Sequence, residues 1–444
     1  MTDLILSRRK ALAAALSFGV TVEFLGGRAF AASEGGVAKK KLVVVICRGG
    51  LDGLSLSPPV GDPAYRGLRG PIAIAGFGEP GGALKLDETF GLHPSLASVH
   101  ALALKGEARI APAVATPDRA RSHFEAQDVL ESGGSVVYGT NSGWLNRALE
   151  AMGGKAAAIS VGPTAPLILR GKVEAASWSP GGQAGRDSRL PGILQDLYAN
   201  DPLLGPALAS GLSTEAMAKV ATADAAGIGQ GDMITAAMTG APAPAPQAAG
   251  MSPQMEAQSN AGGAALRPIL RQGLPQARKL GATLAGFMTQ EGGKQIAAVS
   301  IDGFDTHANQ GAAQGQLATR LAYVDAFLDG LADGLGPSWR DTVVVAVTEF
   351  GRTARVNGTA GTDHGTASTA LVLGGALRKG GIIGDWPTLA GGKLFEARDT
   401  APTLDMRGLF KGVLEAHLGV ERAKLDTLVF PDSAAIAPVA GVVS

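Results

Sequence analysis

Thiols and imidazoles are scarce in this chain. Among 444 residues there is one cysteine, Cys47, and there are six histidines. A single thiol has no partner in the chain, so no internal disulfide can form. A surplus of either charge is also missing: 39 basic side chains balance 39 acidic ones. That removes the electrostatic footprint of a general nucleic-acid binder, which needs excess cationic groups to displace counterions. Charged residues make up only 18%, too few for a long coiled coil. Apolar residues make up 45%, too many for a chain that stays unfolded. The 64 glycines show no G-X-Y period, which excludes collagen. The length accommodates one large α/β domain or two to three average ones.

What is present begins with a leader. Ser7-Arg8-Arg9-Lys10 is a twin-arginine signature, the apolar run Ala11–Val20 follows, and Ala29-Phe30-Ala31 offers an A-x-A cleavage site. Residues 1–31 therefore read as a signal peptide for the twin-arginine export machinery, which carries folded proteins to the bacterial periplasm. Glu23 interrupts the apolar stretch, so the segment is a poor membrane anchor, and no other stretch reaches the roughly 20 apolar residues a span needs.

After the leader, Lys41-Leu-Val-Val-Val-Ile-Cys47 is a continuous β-branched run ending in Arg48-Gly-Gly-Leu-Asp-Gly53. That is the pattern of a buried parallel strand feeding a tight loop. Similar runs recur at Arg109–Ala115, Gln295–Ile301, Thr342–Thr348 and Thr369–Gly374. Helix-period segments lie between them: Pro94–Lys105, Ser122–Glu131, Gln310–Leu335 and Thr403–Leu418. The alternation predicts an α/β fold with a doubly wound, largely parallel sheet covered by helices on both faces. Residues 40–444 read as one such domain. It carries a helical insertion and a flexible excursion at about 201–292, low in complexity around Ala241-Pro-Ala-Pro-Ala-Pro246.

Three strand ends carry carboxylates: Asp52; Asp302, Asp305 and His307; and Glu349. Ligands of open α/β sheets bind just beyond such ends. In Asp302-Gly-Phe-Asp-Thr-His307, Asp305 and His307 are two apart and can point to one side. A carboxylate with an imidazole suits Zn²⁺ or a similar ion; Asp305 capping the following helix is the alternative. In Thr348-Glu-Phe-Gly-Arg-Thr353, Glu349 leaves an apolar strand, where a carboxylate must be paired or metal-bound. Arg352 is either its ion-pair partner or a guanidinium for an anionic substrate oxygen. In Gly361-Thr-Asp-His-Gly365 the glycines let Asp363 and His364 both turn to a site.

Ser122 in Arg119-Ala-Arg-Ser-His-Phe-Glu125 sits at a helix N-terminus, where the dipole favours an anion. It is a candidate nucleophile or, with Glu125, a capping box. His123 is a candidate ligand or substrate contact. His93, His100 and His417 fall in helical patterns and read as structural.

These segments together resemble the domain-of-unknown-function-1501 family of exported proteins, within the alkaline phosphatase and sulfatase superfamily. The resemblance rests on Arg48–Leu54, Ser122–Gln127, Gly143–Arg147, Asp302–His307, Thr348–Thr353 and Asp363–Gly365, in family order. It implies an alkaline phosphatase-like fold and two divalent ions, Zn, Mn or Ca, at the carboxyl edge of the sheet. Asp52, Asp305, His307, Glu349, Asp363 and His364 would be their ligands. The expected activity is hydrolysis of a small phosphate or sulfate ester by two-metal in-line displacement. Ser122, or less readily Thr306, would attack, and Arg352, Arg48 and Arg121 would meet the anion. No C/S-x-P-x-R signature occurs, so a formylglycine nucleophile is not expected. The alternative is a catalytically silent protein of the same fold that holds a metal or an anionic glycan. There is no G-x-S-x-G elbow and no phosphate-binding G-x-x-x-x-G-K-[ST] loop.

Overall fold

The computed structural model describes residues 39–154, 156–161, 166–178, 273–377 and 379–443, with a few positions between 209 and 222. The leader and the 241–263 excursion lie outside the described residues.

Strand β1 (Lys41–Arg48) runs through the middle of the main sheet. Its β-branched side chains alternate between two cores. Leu42, Val44 and Ile46 point into one, with Trp144 and Phe410; Val43, Val45 and Cys47 point into the other, with Phe287 and Phe327. A strand buried on both faces needs no polar alternation, which is why the run is continuously apolar. The first core is closed by the helices His123–Ser132, Trp144–Ala151 and Met406–Leu418. The second is closed by Ala97–Leu104, Gln316–Leu335 and a helix over residues 273–289.

In chain order the other strands are β2 (Leu84–Lys85), β3 (Gly91–Leu92), β4 (Ala108–Ala115), β5 (Ala158–Val161), β6 (Ala175–Trp178) and β7 (Ile296–Asp302). They are followed by β8 (Thr342–Val347), β9 (Ser368–Leu373), β10 (Gly381–Ile382) and β11 (Leu404–Asp405). The main sheet is ordered β10-β4-β9-β8-β1-β7-β5-β6, with β11 beside β4, while β2 and β3 form a separate hairpin. All its pairings are parallel except those of β9, which is antiparallel to β4 and β8. The largely parallel sheet with helices on both faces is the expected fold class.

That one inversion positions the site. The adjacent parallel strands β8, β1 and β7 bring Glu349, the 48–53 turn and the 303–307 loop to one edge. Because β9 runs the other way, its beginning lies at that edge, and Asp363-His364 immediately precede it. Strand β4 ends there too and leads into His123.

Three helices start later than their periodicity predicts, the first of them at Ala97 rather than Pro94. The long helix begins at Gln316, since Gly311 and Gly315 take positive φ values of 83° and 128°. The last begins at Met406, where the Asp405 side chain accepts from the Arg407 amide as an N-cap.

Candidate metal centre

Three imidazoles converge on one carboxylate. Asp305 Oδ1 lies 3.0 Å from His307 Nε2 and 3.2 Å from His364 Nε2, and Asp305 Oδ2 lies 3.4 Å from His123 Nε2. The two nitrogens His307 Nε2 and His364 Nε2 face each other at 3.1 Å. His123, Asp305 and His364 each offer a donor atom, all within 4.8 Å of one another, the one such group among the described residues.

The opposite nitrogen of each ring is already committed. His123 Nδ1 meets Glu349 Oε1 at 2.9 Å, His307 Nδ1 meets Asp363 Oδ1 at 3.2 Å, and His364 Nδ1 meets the Arg121 carbonyl at 2.8 Å. A carboxylate or carbonyl can only accept, so each Nδ1 donates. In the neutral ring this leaves the Nε2 lone pair facing inward. Outer acceptors that fix ligand tautomers in this way are the usual support of metal-binding imidazoles. His123 Nε2 is buried without a hydrogen-bond partner, an orphan that a cation would satisfy.

The backbone explains the convergence. At Gly49, with φ +116°, a Cβ would come within 2.6 Å of the Asp305 amide nitrogen, so only glycine lets the 48–53 turn press on the 303–305 loop. Gly361 similarly abuts the His307 backbone. The buried Phe350 ring lies 4.8 Å from the His123 ring and 4.7 Å from that of His364, an apolar wall behind both.

Charge follows the geometry. Burial resists ionisation of Asp305, but the three imidazoles and Arg352 hold its carboxyl far below the usual carboxylate range. Burial likewise opposes the charge on Glu349 and Asp363. His123 and the Gly49 amide outweigh it at Glu349, and Asn357 and His307 outweigh it at Asp363, so both are lowered. Burial acts against a proton on His123, yet the neighbouring Asp305 and Glu349 carboxylates push the ring up to about 9. His307 is raised by its bond to Asp305. Once a cation displaces the inward protons and the rings are neutral, the three carboxylates of Asp305, Glu349 and Asp363 exceed the one Arg352 guanidinium by two charges. A divalent cation closes that difference. Three nitrogens and an oxygen suit Zn²⁺ or another nitrogen-binding ion better than Ca²⁺, which takes oxygen ligands.

The expected residues divide accordingly. Asp305, His307 and His364 come together. Glu349 and Asp363 stand one shell out: Glu349 is occupied by His123, the Gly49 and Gly50 amides and Thr348 Oγ1. His123, a candidate ligand or substrate contact, joins them with Nε2 facing Asp305.

Asp52 is elsewhere. It is fully buried, caps the short helix Gly53–Leu56, and is held by Arg69, by Ser55 Oγ at 2.8 Å and by Gln310 Nε2 at 2.6 Å. Buried and engaged by these donors, it stands apart from the imidazole cluster. Arg352 pairs with neither Glu349 nor solvent. Its buried guanidinium binds Asp305 Oδ1 at 2.6 Å and Thr362, and cannot reach a substrate. Arg48 is tied to Glu131 and Gln127, and Arg121 to Asp399 and Glu396. Thr306 is buried, its hydroxyl donating to Gln310 Oε1 at 2.9 Å. Ser122 occupies the N-cap position of its helix, but its hydroxyl makes no capping bond, so the capping box does not form.

A family model described as "Protein of unknown function (DUF1501)" matches residues 39–429. The chain belongs to that family. No curated protein sequence matches. Among solved structures it is similar to the lipoteichoic acid synthase LtaP from Listeria monocytogenes, at 11% identity over 96% of this chain and 82% of that one, with a TM-score of 0.35. It is also similar to the C-terminal periplasmic domain of EcEptC from Escherichia coli in complex with Zn, at 9% identity over 76% and 72%, with a TM-score of 0.29. A third is the phosphonate monoester hydrolase of Agrobacterium radiobacter, at 11% identity over 75% and 68%, with a TM-score of 0.28. No helix among the described residues is long and apolar enough to cross a membrane.

Proposed function

We propose that the protein is an exported, metal-dependent hydrolase of a phosphate or sulfate ester, with one divalent ion held by His123, Asp305, His307 and His364. The observation that carries this reading is the inward set of three Nε2 atoms around Asp305, each ring fixed from behind through Nδ1. A divalent ion in that set supplies Lewis acidity toward an ester oxygen. Arg352 keeps Asp305 ionised and aimed. Ser122 supplies the attacking hydroxyl: it precedes His123, heads a ten-residue helix whose dipole favours an anion, and spends no bond on capping. The arginine pair at residues 8 and 9 supports export by the twin-arginine route, and replacing both with lysine is expected to hold the protein in the cytoplasm.

The test is to load purified protein with Zn²⁺ or Mn²⁺, measure the ion-to-chain ratio, and assay aryl phosphates and aryl sulfates. The expected result is about one ion per chain and turnover of one ester class, lost in Ser122→Ala with the metal retained. Metal-loaded protein that hydrolyses neither class overturns the hydrolase reading. It would instead favour the silent metal- or glycan-binding alternative, which one feature supports: the Ser122 hydroxyl has no base hydrogen-bonded to it among the described residues.

A further inference from the structure

The segment Phe395–Asp399 belongs to none of the motifs above, yet it ties together three segments of the centre. It is a tight turn closed by reciprocal backbone bonds of 2.9 Å between Phe395 and Asp399. Glu396 and Ala397 at its tip both have positive φ, 52° and 55°. Left-handed backbone is costly for residues with a Cβ and persists where surrounding contacts impose it.

What the turn presents is a set of charged contacts. Asp399 is fully buried, and its Oδ2 accepts from Arg121 Nε at 3.1 Å, Arg121 Nη2 at 2.9 Å and Thr366 Oγ1 at 2.9 Å. Glu396 takes the same guanidinium. Arg398 Nη2 donates to the His364 carbonyl at 2.7 Å, and the Arg398 carbonyl accepts from the Ala354 amide at 3.1 Å. Asp399 also forms a bridge to Thr353, next to Arg352.

The target of these contacts is His364. Arg121 is itself left-handed, with φ 58°, and that conformation aims its carbonyl at His364 Nδ1. Asp399 grips both the Arg121 side chain and Thr366, two residues along the chain from His364. A free Arg121 would relax toward ordinary backbone and take the carbonyl away from Nδ1. The ring could then carry its proton on Nε2, where a lone pair is needed.

We propose that Asp399 is a positioning residue of the metal centre: through Arg121 and Thr366 it fixes the orientation and tautomer of His364. This rests on the metal reading, and the experiment separates the two. Zn²⁺ affinity is measured by competition with a chromophoric chelator for wild type, Asp399→Asn, Thr366→Ala and Asp52→Asn. Imidazole tautomers are read from ¹H–¹⁵N spectra of histidine-labelled, zinc-free protein.

The expected result is Zn²⁺ binding weakened about 10- to 100-fold in Asp399→Asn, with the His364 Nδ1–H signal lost or mixed. Asp52→Asn removes an equally buried carboxylate and is expected to leave both readouts at wild-type values. Should Asp399→Asn fail to fold, Thr366→Ala is expected to show the same change in smaller degree. Wild-type protein that binds no Zn²⁺ overturns the metal reading and this inference with it. Wild-type binding, matched within twofold by Asp399→Asn with the Nδ1 tautomer intact, overturns this inference alone. Equal weakening in Asp52→Asn also overturns it.

Discussion

Asp52 and Asp305 follow neighbouring parallel strands and reach the same edge of one sheet, yet they do opposite work. The Asp52 side chain is 1% exposed, and its donors all belong to the fold: Arg69, Ser55 and Gln310 at Oδ2 and the Leu54 amide at Oδ1. Asp305 is 41% exposed and faces imidazole nitrogens whose own lone pairs are unspent. Position at a strand end is therefore not what makes a ligand. What separates a site from a structural knot is coordinating capacity that the fold leaves unused.

The histidines repeat the contrast. His93 and His417 are buried and turn Nε2 to the carbonyls of Ala312 and Lys41, so the fold consumes them. The three at the centre spend Nδ1 outward and keep Nε2 for each other and Asp305.

The largest expected break in this comparison is at the ligand itself. Asp305→Asn should abolish stoichiometric metal binding, read by elemental analysis of protein that still unfolds cooperatively. Asp52→Asn should do the reverse: it strands the buried Arg69 guanidinium and costs about 3–5 kcal/mol in denaturant unfolding, with metal content unchanged. Equal metal loss in the two variants would dissolve the distinction.

The two structural histidines set a pH dependence. Burial lowers both from 6.5 to about 4 when folded. As pH falls below 6.5 the unfolded chain takes up protons first, so stability is whole above that value and drains away down to about 4. Each ring accounts for roughly 3 kcal/mol. Unfolding of His417→Gln measured across this range should show a shallower loss.

Smaller still are the outer acceptors. Glu349→Gln and Asp363→Asn should weaken the metal about 10- to 100-fold without removing it, as chelator competition would report. A complete loss in either would make that carboxylate a direct ligand.

Much of this was legible in residue order. Continuous β-branched runs announced a sheet buried on both faces, and carboxylates beside histidines announced the edge that carries the centre. Asp305, His307 and His364 were readable because each lies in a short loop directly joined to a strand. Asp52 was misread because Arg69, its partner, belongs to no motif; only folding shows that the turn curls inward. The role of His123 depended on how its helix is rotated, with Gln127 also on the Glu349 side. For Arg352 the sequence offers Glu349 or a substrate anion, and the fold pairs it with Asp305 from another loop. The count of two ions comes with the family resemblance, whereas the described residues bring one cluster of donors together.

X-ray absorption of the Zn²⁺-loaded protein distinguishes one ion from two. One ion per chain is expected, with three imidazole nitrogens and one carboxylate oxygen at about 2.0–2.2 Å. A first shell of oxygens alone, or scattering from a second metal at about 3.5–4 Å, would contradict it.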